Sequence, residues 1–194
     1  RAVALAPLHG QRHGAVGVAQ DLAAYGRDQG EGVRAIVPLV EAVADRVDRV
    51  RLLYLYPSDL NDRLVDTICA TGVPYFDLSL QHVSPPLMRR MRRWGDGARF
   101  LERIHHIRSV EPDAAFRSNF IVGYPGETEE DPAALLDFAR EINATQLVLG
   151  TSRRSRWARI FDPGIGTTVV QRSGTIDVHM VTHEQAGGQS VWAR

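Results

Sequence analysis

From about residue 50 to residue 150 the sequence alternates short apolar runs with amphipathic ones, and that alternation limits the architectures open to the chain. "VRLLYLY", "YFDLSLQ", "AFRSNFIVG" and "TQLVLG" are rich in β-branched, aromatic and aliphatic residues and are bounded by Pro or Gly, as strands are. Between them lie "DLNDRLVDTICATG", "SPPLMRRM", "ARFLERIHHIRSV" and "EEDPAALLDFAREI", whose apolar residues recur at helical spacing. Upstream, "AVGVAQ" has the composition of a strand, and "IVPLVEAVADRV" places Ile36, Leu39, Val40, Val43 and Val47 on one helical face. Strands separated by helices imply a parallel sheet, because parallel neighbours require a crossover and crossovers are right-handed. The fold class predicted is therefore α/β, with parallel strands near residues 15–20, 50–56, 76–80, 116–123 and 146–150 and helices outside. A further strand near residues 176–182 should add at an edge or pack separately.

The most specific segment is "NFIVGYPGETEEDPAALLDFA", Asn119 to Ala139. Phe120, Ile121 and Val122 suit a buried strand, and Gly123 ends it. Pro125 cannot donate to a ladder, while Gly123 and Gly126 permit positive φ or close approach of a ligand to the backbone. Thr128 reads as an N-cap with Asp131 three residues on, a relative of the capping box, and Leu135, Phe138, Ala139 and Ile142 form the inward helical face. A loop at the carboxyl end of a parallel strand lies where such sheets bind ligands. From the residues alone, an ordinary strand-to-helix connection is an equally good reading.

Composition narrows the function classes. Basic and acidic residues both number 23, so no global charge calls for nucleic acid or for a membrane surface. "MRRMRRWG" and "RRSRWAR" each set four Arg beside one Trp; such runs can grip a nucleic-acid backbone, but more often they are solvated faces balanced by nearby acids. The single Cys69 forms no internal disulfide, and with no secretory signal or long apolar span a cytoplasmic protein is expected. His105-His106 and His179-x3-His183 have poor spacing for a metal, so no metal ligand and no catalytic residue is assigned. The chain opens on Arg1, as a fragment would.

"VAQDLAAYGRD", "VRLLYLYPSDLNDRLVD", "PYFDLSLQHVSPPLMRRMRR" and "FRSNFIVGYPGETEED" occur in order and at suitable spacing. Together, over roughly residues 15–142, they closely resemble the radical SAM methylthiotransferases, most of all the RimO type that modifies an aspartate of a ribosomal small-subunit protein. The MiaB type, acting on tRNA adenosine, is the nearest relative. The resemblance implies a partial TIM-like barrel over residues 15–150, holding S-adenosylmethionine and a [4Fe–4S] cluster at the carboxyl ends of its strands. It assigns cofactor contacts to Gln20, Asp21, Tyr25, Ser58, Gln81, His82, Arg117, Gly123, Pro125 and Gly126, at neighbouring strand ends. Tyr25 and His82 also fit as packed residues, and Ser58 after Pro57 fits as a turn or cap.

The chain departs from that family in one respect that bears on chemistry. The family's cluster is held by three thiolates in a C-x3-C-x2-C loop, and this sequence contains only Cys69, which reads as a small packed hydrophobe of a helix. Methylthiolation by the 194-residue chain alone is therefore not expected. Residues 1–14 read as an irregular amino-terminal segment.

Residues 143–184 instead resemble the end of a universal-stress-protein domain of the KdpD sensor-kinase type. That likeness would place Gly150, Thr151, Ser152, Gly166 and Thr167 near a nucleotide phosphate and make residues 151–194 a separate segment, with a nucleotide-binding sensor fragment as the alternative function. Two families join near "LLDFAREINATQ", where both place a helix followed by a strand; natural fusion, fragment and assembly artefact are the possible origins.

Overall fold

The computed structural model describes residues 4–7, 15–18, 22, 25, 35–128, 130–151 and 171–182. The chain divides into two compact units, Arg1–Ile121 and Val122–Arg194.

The first unit is built on three parallel strands, β3 (Leu52–Leu55), β4 (Tyr75–Gln81) and β5 (Ala115–Phe120), ordered β3-β4-β5. Helix α2 (Asp62–Ala70) crosses from β3 to β4, and helices α3 (Pro85–Arg90) and α4 (Gly97–Val110) cross from β4 to β5. Because the strand order follows the chain and crossovers are right-handed, these helices fall on one face of the sheet, the winding of a barrel wall rather than of a sheet covered on both sides. That face is the core. Phe76, Leu78 and Leu80 of β4 are buried, as are Leu64, Val65 and Ile68 of α2 and Phe100, Ile104 and Ile107 of α4. Phe76 stacks on Phe116 with ring centroids 5.4 Å apart, and the Arg108 guanidinium of α4 lies 5.2 Å over the Phe116 ring.

Local chemistry sets the helix ends. Asn61 caps α2 by accepting the Leu64 N–H at 2.9 Å, and Gly72 follows it in the left-handed region at φ +72. Asp96 caps α4 by accepting the Arg99 N–H at 3.0 Å. Helix α1 (Ile36–Ala44) buries Ile36 and Val40 of the predicted face together with Val37, whereas Leu39 and Val43 are half-buried.

Two strand expectations need correction. Residues 15–20 were expected in the parallel sheet and residues 1–14 as irregular; instead β1 (Ala4–Pro7) and β2 (Ala15–Val18) pair antiparallel in a two-stranded sheet of their own. Only residues 8–14 separate these apolar runs, and closing so short a connection costs less chain entropy than a crossover to β3. Pro7 sits at the end of its strand, where its missing N–H costs no internal ladder bond.

The second correction lies in the other unit. β6 (Gln146–Thr151) was expected to continue the parallel sheet, but it pairs with β7 (Asp177–Thr182) in a separate two-stranded parallel sheet, in unbroken register from Gln146↔Asp177 to Thr151↔Thr182. The strand near 176–182 is thus present and packs separately. Helix α5 (Glu130–Glu141) precedes this pair and buries Pro132, Leu136, Phe138 and Ala139. The helix gives way to Asn143 at φ +52 and then to β6, and the Arg140 guanidinium donates to the Arg172 carbonyl. Ser152, Gly166, Thr167 and the "RRSRWAR" run lie outside the described residues.

Candidate functional site

Strands present successive side chains to opposite faces, so the β4 face opposite Phe76 and Leu78 carries Tyr75 and Asp77 up to the register shift that precedes Gln81. The register Asp77↔Arg117 aligns β5 with it and brings Arg117 and Asn119 to the same side. This face is polar where the helix-covered one is apolar. Asp77 is fully buried; its Oδ2 accepts a hydrogen bond from Arg117 Nη1 at 2.8 Å, and its Oδ1 has no partner among the described residues. The Asp77 charge, and secondarily this hydrogen bond, raises Arg117 above an ordinary guanidinium.

Arg117 was expected at a strand end. It lies three residues short of the end of β5, about 10 Å along the strand. Its guanidinium holds the buried Asp77 carboxylate, and that pairing explains an Arg inside a strand.

The carboxyl edge of the sheet carries its own backbone geometry. Tyr54 and Gln81 adopt φ of +58 and +73, and the ladder register shifts beside each, between Leu52 and Leu55 and between Leu78 and Gln81. A left-handed residue with a Cβ costs about 1–2 kcal/mol, and such conformations collect where a bulge re-aims side chains beside a binding site. Sequence reasoning named Gln81 but missed Tyr54, because nothing in a Tyr within "LLYLY" signals positive φ.

His82, one residue past β4, is fully buried, and its Nδ1 accepts the Ser84 N–H at 3.0 Å. It fastens the turn into α3. Ser58 is exposed within the 3-10 turn Pro57–Asp59 that follows β3. Tyr25 is half-buried, and its carbonyl accepts the Ala35 N–H at 3.2 Å ahead of α1. Gln20 and Asp21 lie outside the described residues. Of the predicted contacts, Gln81 ends β4 and Ser58 and His82 follow the carboxyl ends of β3 and β4, whereas Arg117 and Tyr25 are not at such an end.

Ile121 donates its N–H to the Gln81 carbonyl at 2.8 Å, extending the β5 ladder to the last residue before the Val122–Gly126 loop. In that loop Gly123 and Gly126 have φ of +76 and +87, so both glycines are required by the backbone, and among the described residues nothing lies within 4 Å of where a Gly123 Cβ would stand. Glu127, absent from the sequence assignments, closes the turn: its Oε2 accepts the Tyr124 N–H at 2.9 Å and its own N–H donates to the Tyr124 carbonyl at 2.9 Å. The capping relation of Thr128 and Asp131 is present, with Asp131 Oδ2 accepting both the Thr128 N–H at 2.8 Å and its hydroxyl at 3.0 Å.

Residues 23–139 match the family described as the radical SAM superfamily, a span that includes the whole β3-β4-β5 sheet and the Gly123–Gly126 loop. The chain belongs to the radical SAM superfamily. It is 49% identical over 125 residues to the ribosomal protein uS12 methylthiotransferase RimO of Cutibacterium acnes, a match covering 62% of this chain and 26% of that protein. The corresponding protein of Streptomyces avermitilis is 46% identical over 125 residues, covering 62% of this chain and 25% of its own length. That of Salinispora tropica is 47% identical over 128 residues, covering 64% and 25%. The chain therefore spans about a quarter of the length of the curated relatives it matches.

Radical SAM proteins use S-adenosylmethionine and a [4Fe–4S] cluster, and the residues of this chain do not fit the cluster. Such a cluster takes several thiolates, and the sequence has one cysteine. Cys69 is half-buried on α2, and burial, with the Glu111 and Asp66 charges behind it, pushes its thiol above the usual value. A thiol raised in the folded state favours folding while it stays protonated, and that contribution is lost as pH rises through the folded value. At pH 8, iodoacetamide should alkylate Cys69 more slowly in the native chain than in the urea-unfolded chain. Equal rates in the two states, followed by mass spectrometry, would contradict this environment.

Proposed function

We propose that this chain is the β/α core segment of a radical SAM methylthiotransferase that modifies ribosomal protein uS12 in the cytoplasm. The supporting observation is the 49% identity over 125 residues to a uS12 methylthiotransferase, beside the radical SAM match over residues 23–139, which contain the polar sheet face and the glycine loop. Under this reading Ser58, Gln81 and His82 mark the cofactor edge of the first unit, and the left-handed Gly123 and Gly126, with Pro125 between them, leave the backbone of their own loop open to close approach of a ligand. Gln81 and Tyr54 keep their left-handed backbone to aim that edge, and Glu127 holds the loop in shape. With one cysteine the 194 residues cannot supply the thiolates of a cluster, so under this reading the chain binds and orients and does not by itself reduce the cofactor.

Titration calorimetry of the chain with S-adenosylmethionine and with ATP tests the binding role. Heat from S-adenosylmethionine, none from ATP, and loss of that heat in Gly123→Val are the expected results. A β-branched residue at φ +76 costs the loop about 1–2 kcal/mol. Binding of ATP alone would assign the chain to nucleotide sensing instead.

A further inference from the structure

We propose that the segment from Arg89 to Arg99 is a docking surface for single-stranded RNA. The sequence favoured a solvated, acid-balanced face for "MRRMRRWG", and at three of its four Arg the described residues provide no balancing acid. Among the described residues, no carboxylate lies within ion-pair distance of Arg89, Arg92 or Arg93. Asp96, the one acid between Arg89 and Arg99, is engaged as the α4 cap and reaches the Arg99 Nε only at 3.9 Å.

The surface is also held in shape. The Trp94 N–H donates to the Tyr56 hydroxyl at 3.2 Å, and the Gly97 N–H donates to the Val83 carbonyl at 3.0 Å. Gly95 has φ +96 and its added Cβ would collide with the Phe100 ring, so this turn accepts glycine alone. The Arg93 guanidinium stands 5.4 Å over the Tyr56 ring and the Arg99 guanidinium 5.6 Å over the Trp94 ring. Trp94 remains 42% exposed. Guanidinium forks match phosphate oxygens, and an exposed indole stacks on an unpaired base. An acidic peptide would use the charges and leave the indole without a role, and a duplex would offer it no unstacked base. Tyr56 and Val83 follow the carboxyl ends of β3 and β4, so the patch stands at the edge of the sheet that carries the candidate site. The balanced charge of the whole chain hides this local excess.

The proposal rests on this geometry and not on the methylthiotransferase reading, so each can fail alone. The test is fluorescence anisotropy of an end-labelled 12-nucleotide oligouridine with the full chain over a salt series. Binding should weaken with salt. In the Arg89→Gln/Arg92→Gln/Arg93→Gln variant the log–log salt slope should fall by about 2, at roughly 0.7 per neutralised contact, and low-salt affinity should drop more than tenfold. Trp94→Ala should lose about tenfold in affinity with the slope unchanged. The corresponding triple Lys variant should retain the slope, separating lost charge from lost folding, and Arg63→Gln on exposed α2 surface should bind as wild type. No RNA binding, an unchanged slope in the triple Gln variant, or displacement of RNA by polyglutamate as readily as by unlabelled RNA would overturn the proposal.

Discussion

Phe76→Ala should cost the first unit roughly 3–5 kcal/mol, the range for emptying a fully buried aromatic site. Phe76 has 0% exposure and sits in the central strand of the three-stranded sheet, stacked on Phe116. Its removal leaves a hole between β4, β5 and the helices covering them, and it also ends the offset ring contact, which contributes about 1 kcal/mol beyond area burial. The loss should register as faster hydrogen exchange of the β4 and β5 amides, with the β6–β7 amides of the other unit unchanged. Retained protection in β4 would mean that the core does not centre on this ring.

The second large effect concerns the Asp77–Arg117 pair. Arg117→Met should destabilise the same unit by about 3 kcal/mol, because it leaves a fully buried carboxylate without its cation. The Arg117 side chain is itself 51% exposed, so most of the cost arises from Asp77 and little from lost Arg packing. The double variant Asp77→Asn/Arg117→Met removes both charges and should recover most of the stability, since replacing both partners is far less costly than orphaning one. Urea denaturation of the two variants and wild type gives the coupling. If single and double variants are equally unstable, Arg117 acts through packing and not through the buried charge.

These two residues show what the sequence reveals and what it withholds. The alternation of short apolar runs with helical ones made β3, α2, β4, α3, α4, β5 and α5 legible as elements, although the apolar residues of the β3 and β5 runs are only partly buried, with Leu53, Tyr54, Ile121 and Val122 exposed. Pairing was less legible. "AVGV" and "TQLVLG" are good strands, but the choice of partner depends on connection length and on competing strands, and each found a two-stranded sheet of its own. For the candidate site, glycines in "GYPGE" announced positive φ because only their chemistry tolerates it cheaply. Tyr54 at φ +58 gave no such sign. Arg117 was placed at a strand end by the family resemblance. The Asp77 that accounts for it lies 40 residues earlier, and only the register joins the two. Glu127 was hidden among neighbouring acids, and its role emerged from one backbone hydrogen bond to Tyr124.

The most direct test of the methylthiotransferase reading is a chimera. Residues 23–139, the span that matches the superfamily, would replace the matching segment of the Cutibacterium acnes enzyme, which supplies the remainder of a full-length protein. After iron–sulfur reconstitution with S-adenosylmethionine, a sulfur source and reductant, the chimera should methylthiolate uS12, read as the added mass on its target peptide. A folded, cluster-loaded chimera that leaves uS12 unmodified, under conditions in which the parent enzyme modifies it, would contradict the assignment.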